Sequence, residues 1–140
     1  MTRLLFLLLV ALCAMAPAAG AHSYRLGAVR IGHLWAKQEG PRRFAVYGPL
    51  LNSGGAPDAL VRVIASAPGA RAALVAAKVG PAVRAIALPI GRPVSLASWS
   101  VHIEIAGVAA RRGTMIPLVL TFAHAGSIRV GAMVENSPSD

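Results

Sequence analysis

The side chains with the clearest potential for chemistry are His102 and Glu104, in the apolar segment VHIEIAGV. In an extended strand, residues two apart project to the same face, with their Cα atoms about 6.5 Å apart. An imidazole and a carboxylate at that spacing can share one metal ion, or they can form a plain exposed ion pair of little energetic value. The alternation predicts that both project outward, opposite an inward set. That inward set is Trp99, Val101, Ile103 and Ile105.

The first 21 residues have the pattern of a cleaved secretory signal. Arg3 is followed by a continuous apolar run over residues 4–15 and then by small residues in an A-x-A arrangement. The run is shorter than the roughly 20 residues that a membrane-spanning helix needs. We therefore expect export, to the periplasm in a bacterial cell, and a mature single domain over residues 22–140.

Export removes the only cysteine, Cys13, so the mature chain is expected to lack disulfides and thiolate metal ligands. Lipid attachment at Cys13 is not expected, because Leu12 stands where a lipoprotein signal has a small residue. Cleavage would leave His22 first, and its α-amine and imidazole together would suit Cu(II). The alternative for His22 is a frayed terminus without a ligand role.

Two further histidines are predicted to have structural positions. His33 alternates with apolar residues, which favours a hydrogen-bonded core histidine over a ligand. His124 falls in the segment AHAG between two alternating runs, which indicates an exposed turn.

Composition narrows the function classes. Fourteen basic and five acidic residues give a net charge of +9, but the arginines are scattered and form no basic helix or aromatic ladder, which argues against nucleic-acid binding. An acidic protein partner or an anionic membrane surface fits this charge better. No G-x-S-x-G elbow or phosphate loop is present, and Ser100, His102 and Glu104 lie in line instead of converging, so we do not expect an enzyme.

Glycine and proline recur at roughly ten-residue intervals between short runs rich in Val, Ile, Leu and Ala. This pattern is typical of an all-β sandwich or barrel. The segment ARAALVAAKV is predicted to be a strand, since Pro68-Gly69 and Gly80-Pro81 bracket it closely. In MIPLVLTFAHAGSIRVGAMV, two alternating runs around AHAG predict an antiparallel hairpin with one buried side. The buried set is Ile116, Leu118, Leu120, Phe122, Ile128, Val130, Ala132 and Val134.

Several segments in order resemble the periplasmic copper chaperones called PCuAC (DUF461). These are HSYRLGAVRIGHLWAK, LLNSGGAPDALV, VHIEIAGV and IPLVLTFAHAGSIRV, which together cover nearly the whole mature chain. The resemblance implies a cupredoxin-like, immunoglobulin-like Greek-key β-sandwich. It also implies that the protein holds Cu(I) at an exposed site and passes it to a copper-accepting oxidase subunit or another copper chaperone.

The resemblance places only part of the family's copper site on this chain. His102 matches the histidine of the family's H-x-M pair, but Glu104 replaces its methionine. The family's earlier histidine and methionine fall near Val75 and Arg84, which are not metal ligands. Carboxylate oxygen is a hard ligand that suits Cu(I) poorly. We therefore expect either a copper chaperone with a weakened site drawn from His102, Glu104 and His22, or a degenerate member that binds no copper and acts as a periplasmic interaction module.

Overall fold

The computed structural model of the protein describes residues 22–76 and 81–135. The predicted signal over residues 1–21 lies outside the described residues. The described part of the chain is all β, as predicted, and it contains no helix long and apolar enough to cross a membrane. Its strands are β1 (Tyr24–Leu26), β2 (Val29–Ile31), β3 (Trp35–Gly40), β4 (Arg43–Asn52), β5 (Asp58–Ala65), β6 (Arg71–Ala76), β7 (Ile86–Leu88), β8 (Val94–Leu96), β9 (Val101–Ala106), β10 (Met115–Phe122) and β11 (Gly126–Val134).

The strands pair in the order β1-β2-β4-β3-β11-β10-β5-β7, and β6, β9 and β8 join at the side of β4. β4 is central because it pairs with β3 and β9 along its first half and with β2 and β8 along its second half. Gly48, between the two halves, has a φ of 143°. A Cβ there would lie 2.5 Å from the carbonyl oxygen of His33, so only glycine permits this close approach of the two chains.

The apolar faces of these strands enclose one continuous core. Alternation produces this core, because every second residue of a strand turns to the same side. In the hairpin of β10 and β11, Leu118 and Leu120 are at most 1 % exposed, whereas Pro117 and Arg129 on the other face are exposed. The predicted hairpin is confirmed, and its predicted buried set is buried except for Ile128, which is half-buried against the core. The strand predicted over ARAALVAAKV is confirmed over Arg71–Ala76, and residues 77–79 lie outside the described residues.

The opposite face of the sheet carries a row of large side chains. Cα partners in neighbouring strands share a face. Met133 of β11 is the partner of Trp35 in β3, and Trp35 is the partner of Tyr47 in β4. Tyr47 packs against His102 of β9. We call this side the outer face, because the next residue in each strand enters the core.

Candidate functional site

His102 stands on the outer face but is almost completely covered. Its ring centroid lies 5.7 Å from that of Tyr47, and Tyr47 in turn lies 4.9 Å from Trp35. His102 is therefore only 2 % exposed. The prediction that it faces solvent was wrong, because alternation gives the face of a side chain but not what packs over it. Glu104, on the same face, keeps 38 % of its side chain exposed.

The two ring nitrogens of His102 have different partners. Nδ1 lies 3.1 Å from the carbonyl oxygen of Ser100, which can only accept, so Nδ1 carries a proton and donates it. Nε2 lies 3.4 Å from Oε1 of Glu104. In the neutral ring, Nε2 then presents a lone pair to a carboxylate, and two acceptors face each other. A positive charge between them, either a second ring proton or a metal ion, makes this arrangement favourable.

Glu104 opens towards a cavity of about 350 Å³ at the edge of the outer face. Glu39, Arg43 and Arg71 line the same cavity. The two arginines come from β4 and β6, whose Cα partners in β9 are both Ala106, so they flank the end of β9. The cavity therefore combines two carboxylates with two guanidinium groups, and Glu104 lines it whereas the buried His102 does not.

Tyr47 links this carboxylate cavity to the aromatic row. Its hydroxyl donates a hydrogen bond of 3.3 Å to Oε1 of Glu39. Burial is the main cause that raises the pKa of Tyr47 to about 12, with added contributions from the charge and hydrogen bond of Glu39 and the charge of Glu104. The phenol therefore stays protonated at neutral pH and acts as a fixed donor beside the two carboxylates.

The alternation predicted that Trp99 points into the core. This prediction was wrong, because Trp99 is 81 % exposed. The amide of Ser100 donates to the carbonyl of Ala97 at 3.0 Å, and the amide of Ala97 donates to the carbonyl of Val101 at 3.2 Å. These bonds close a turn ahead of β9, so strand alternation starts only at Val101. Ile103 and Ile105 are buried in the core as predicted.

His33 is half-buried and reaches a partner that its sequence position does not suggest. Its Nε2 lies 3.0 Å from Oε1 of Glu135, after the end of β11. Its Nδ1 is buried and has no hydrogen-bond partner among the described residues. The predicted hydrogen-bonded core histidine is therefore only half right, since one ring nitrogen is satisfied and the other is not.

The turn between β10 and β11 is held by Asp58. Its carboxylate accepts hydrogen bonds from the amides of His124 at 2.9 Å and Ala125 at 3.0 Å, and from its neighbour Ala59 at 2.8 Å. Burial opposes the charged form of Asp58, but these amides outweigh it and hold the pKa of the carboxyl below its usual value of 3.8. The imidazole of His124 lies in an exposed turn, as predicted.

The three predicted metal ligands divide into a pair and a distant residue. His102 and Glu104 lie together on β9, and His22 is exposed at the start of the described residues. Within residues 22–76 and 81–135, no three His, Cys, Asp or Glu side chains come together as a group that could hold a metal. The ligand assignment therefore remains a prediction. Val75, where the resemblance places the family's earlier histidine, is the direct Cα partner of His102.

Comparison with known proteins agrees with this fold. A family model described as "Putative lipoprotein LpqE-like" matches residues 28–134. No curated protein sequence matches the chain. The copper-bound PCuAC domain from PmoF2 is 29 % identical with a TM-score of 0.72, over 83 % of this chain and 99 % of that one.

Two further solved structures share the fold. The apo PCuAC domain from PmoF1 is 22 % identical with a TM-score of 0.71, over 83 % of this chain and 100 % of that one. Apo-DR1885 from Deinococcus radiodurans is 19 % identical with a TM-score of 0.53, over 89 % of each chain. These matches confirm the predicted cupredoxin-like class and the resemblance to PCuAC domains.

Proposed function

Because the chain belongs to the LpqE-like family and has the PCuAC fold, we propose that it is an exported copper chaperone with a reduced copper site. The site consists of His102 and Glu104, with a second contribution from His22. The role is to bind and deliver copper, and it needs no catalytic step. Export is supported by the signal pattern of residues 1–21 and by the lipoprotein description of the family.

The observation that carries this proposal is the arrangement of His102 and Glu104. The carbonyl of Ser100 fixes the proton of the ring on Nδ1, which leaves Nε2 aimed at the carboxylate of Glu104. A metal ion between the two atoms would remove the repulsion between two acceptors. The arrangement is therefore suited to a cation, and the copper-bound relative indicates which cation the fold is used for.

The donor set at His102 decides how strongly copper can be held. Imidazole nitrogen suits both Cu(I) and Cu(II), whereas carboxylate oxygen suits Cu(I) poorly. The Cα partner of His102 is Val75, whose side chain cannot bind a metal. We therefore expect Cu(I) binding at His102 that is weak compared with a site that has a thioether in place of Glu104.

His22 would supply a separate site for Cu(II) if export ends at Ala21. The free α-amine and the imidazole of one residue form a chelate with nitrogen donors. His22 is exposed, so nothing in the described residues covers it. Adding one residue before His22 should abolish this Cu(II) binding, because the α-amine moves away from the imidazole. Unchanged Cu(II) binding in that variant would exclude the terminal chelate.

For the partner, we propose a copper-accepting oxidase subunit or another copper chaperone, with an acidic surface. The net charge of +9 supports attraction to such a protein, or to an anionic membrane surface. The exposed positions of Arg43 and Arg71 at the rim of the cavity place part of this charge beside Glu104.

The alternative is a family member that binds no copper and acts as an interaction module. One observation favours it: His102 is only 2 % exposed, and both of its ring nitrogens already have contacts. A metal ion would have to displace the contact of Nε2 with Glu104 and reach a covered ring.

A Cu(I) titration of the mature protein against a competing chelator separates the two candidates. We expect one weakly bound equivalent that His102→Ala removes, and a gain of at least about tenfold, or 1.4 kcal/mol, in Glu104→Met, which restores the thioether. His124→Ala is the matched control, because its imidazole is exposed in a turn and its amide contact to Asp58 is kept. Unchanged Cu(I) binding in His102→Ala, together with no gain in affinity in Glu104→Met, would exclude the proposed site.

A further inference from the structure

The two methionines of the mature chain meet on the outer face. Met115 opens β10 and Met133 lies near the end of β11, and the two are direct Cα partners. Directly opposed residues in an antiparallel pair have Cβ atoms about 4.5–5.5 Å apart, and methionine has three rotatable bonds beyond that point. Both sulfur atoms can therefore reach the same ion.

Both methionines are half-buried and not part of the core. The neighbouring residues Ile116 and Ala132 are fully buried on the core side, so the thioethers belong to the outer face. Gly131 makes room for Met115. A Cβ at Gly131 would lie 2.5 Å from the Met115 methyl carbon and 3.5 Å from its sulfur, so the thioether lies across β11 where any other residue would place a side chain.

His33 supplies a nitrogen donor on the adjacent segment. The amide of Met133 donates to the carbonyl of Leu34 at 3.0 Å, so the backbone beside His33 is bonded directly to Met133. The imidazole reaches Glu135, which lies two residues beyond Met133 and just after the end of β11. The residue that follows His33 is thus bonded to one of the two methionines, and the imidazole itself contacts the residue two positions beyond it.

The protonation of His33 is the one that a metal ligand requires. Oε1 of Glu135 accepts from Nε2 at 3.0 Å, so the proton of the neutral ring is on Nε2 and the lone pair is on Nδ1. Nδ1 is buried, and residues 22–76 and 81–135 offer it no hydrogen-bond partner. A carboxylate that fixes the far nitrogen of a histidine is the usual outer contact of a metal-bound imidazole.

We propose that the sulfur atoms of Met115 and Met133, with Nδ1 of His33, form a second and softer site for Cu(I). Two thioethers and one imidazole are the donors that Cu(I) prefers, and they suit it better than the carboxylate beside His102. The site is separate from His102: Trp35 and Tyr47 lie between Met133 and His102 in the row across the outer face. Its use in copper delivery rests on the function proposed above, but its binding of Cu(I) does not.

The test uses Trp35 as a local reporter, because it is the Cα partner of Met133. Trp99→Phe leaves Trp35 as the sole tryptophan of the chain. In that background, Cu(I) added without oxygen should quench the fluorescence of Trp35 to an end point of one equivalent. The double variant Met115→Leu, Met133→Leu should abolish the quenching and weaken Cu(I) binding at least about a hundredfold, because both thioethers are lost. Leucine is chosen because it conserves the volume of the side chains.

The control variants separate this site from the one at His102. His102→Ala in the same background should leave the Trp35 response in place, and His33→Gln, which can still donate to Glu135, should weaken binding by about tenfold. Quenching that survives the double methionine variant, or that disappears only in His102→Ala, overturns the second site and leaves the first standing. Quenching that is lost only when the methionines are replaced supports the second site. If the Trp99→Phe protein binds no Cu(I) at all, both the second site and the site at His102 are overturned.

A second readout does not depend on fluorescence. Bound Cu(I) should protect both methionines from oxidation to the sulfoxide by peroxide, as measured by peptide mass spectrometry. Equal oxidation with and without one equivalent of Cu(I) contradicts the site. If the double variant fails to fold, as shown by urea unfolding, the two single Leu variants carry the same test, since each removes one of the two sulfurs.

Discussion

The described residues contain two contacts between a histidine and a glutamate, and they differ in nearly every respect. His102 and Glu104 are two residues apart on β9, and their contact measures 3.4 Å. His33 and Glu135 are 102 positions apart, and their contact measures 3.0 Å. In the first pair Nδ1 is bonded to a backbone carbonyl and Nε2 faces the carboxylate. In the second pair Nε2 donates to the carboxylate, and Nδ1 has no partner in the described part of the chain.

The difference teaches that the same two residue types can have opposite consequences for metal binding. A local carbonyl fixes the proton of His102 on Nδ1 and leaves its free lone pair facing a hard oxygen. The carboxylate of Glu135, after the end of β11, fixes the proton of His33 on Nε2 and leaves the lone pair on Nδ1, the atom that we propose to bind Cu(I) together with two thioethers. The pair that is easier to find in the sequence is therefore the one less suited to Cu(I).

The largest expected effect is on stability and concerns the two imidazoles. His102→Ala removes a ring that is 2 % exposed and packed on Tyr47, so we expect a loss of about 2–3 kcal/mol in the free energy of unfolding. His33→Ala removes a ring with 26 % of its side chain exposed, and we expect a loss of about 1 kcal/mol. Urea unfolding of the two variants measures both values. Equal losses would contradict the contrast in burial between the two pairs.

Asp58 is a carboxylate bound by backbone amides instead of a histidine, so its contribution to stability can be compared with that of the two histidine–glutamate pairs. Asp58→Asn should cost about 1–2 kcal/mol at neutral pH, because hydrogen bonds to a charged acceptor are lost. The pKa of Asp58 is lower in the folded state than its usual 3.8, so the contribution is complete above that pH and is lost as the pH falls through the folded value. Unfolding free energies measured from pH 6 to pH 2 should therefore converge for the two proteins. A constant difference across that range would contradict the role given to the charge.

The smallest effect concerns which carboxylates act on Tyr47. The pKa of Tyr47 is raised from 10.0 to about 12 by burial first, then Glu39, then Glu104. Glu39→Gln should lower this pKa most and Glu104→Gln less, and Glu135→Gln should leave it unchanged. Tyrosine absorbance at high pH measures it, in a Tyr24→Phe background that leaves Tyr47 as the only tyrosine. An equal response to Glu104→Gln and Glu135→Gln would show that the two pairs are not electrostatically separate.

The same raised pKa gives the sign of a stability change at high pH. A phenol whose folded pKa exceeds its unfolded value stabilises the fold fully below the unfolded pKa, and that contribution is lost as the pH rises through the folded value. The free energy of unfolding should therefore fall between pH 10 and about 12. Tyr47→Phe should make the decline shallower, and an unchanged decline would assign it to other groups.

Much of the fold was predictable because alternation is local. The hairpin of β10 and β11 was predicted with a buried set that holds except at the half-buried Ile128, and the strand in ARAALVAAKV, described over residues 71–76, was predicted from the turns that bracket it. Trp99 was placed wrongly because the turn at Ala97–Val101 interrupts the alternation, and that turn depends on backbone hydrogen bonds that no side-chain pattern reveals.

The candidate sites were predictable only in part. The methionine pair had a signal that was not used: in a hairpin that turns at residues 123–125, Met115 and Met133 are equally far from the turn and must be partners. The contact of His33 with Glu135 had no such signal, since it depends on the parallel pairing of β3 with β11, two strands that are distant along the chain.

The sequence by itself determined the alternating strands, the hairpin, the basic charge, the resemblance to PCuAC domains and the replacement of a thioether by Glu104. Each of these follows from residue identity or from contacts between near neighbours along the chain. Only the tertiary structure decided that Tyr47 packs against His102, which contacts the ring nitrogens of His102 and His33 make, and that His33 meets Glu135. Those features depend on strands that are remote in sequence, and their pairing register fixes which side chains share a face.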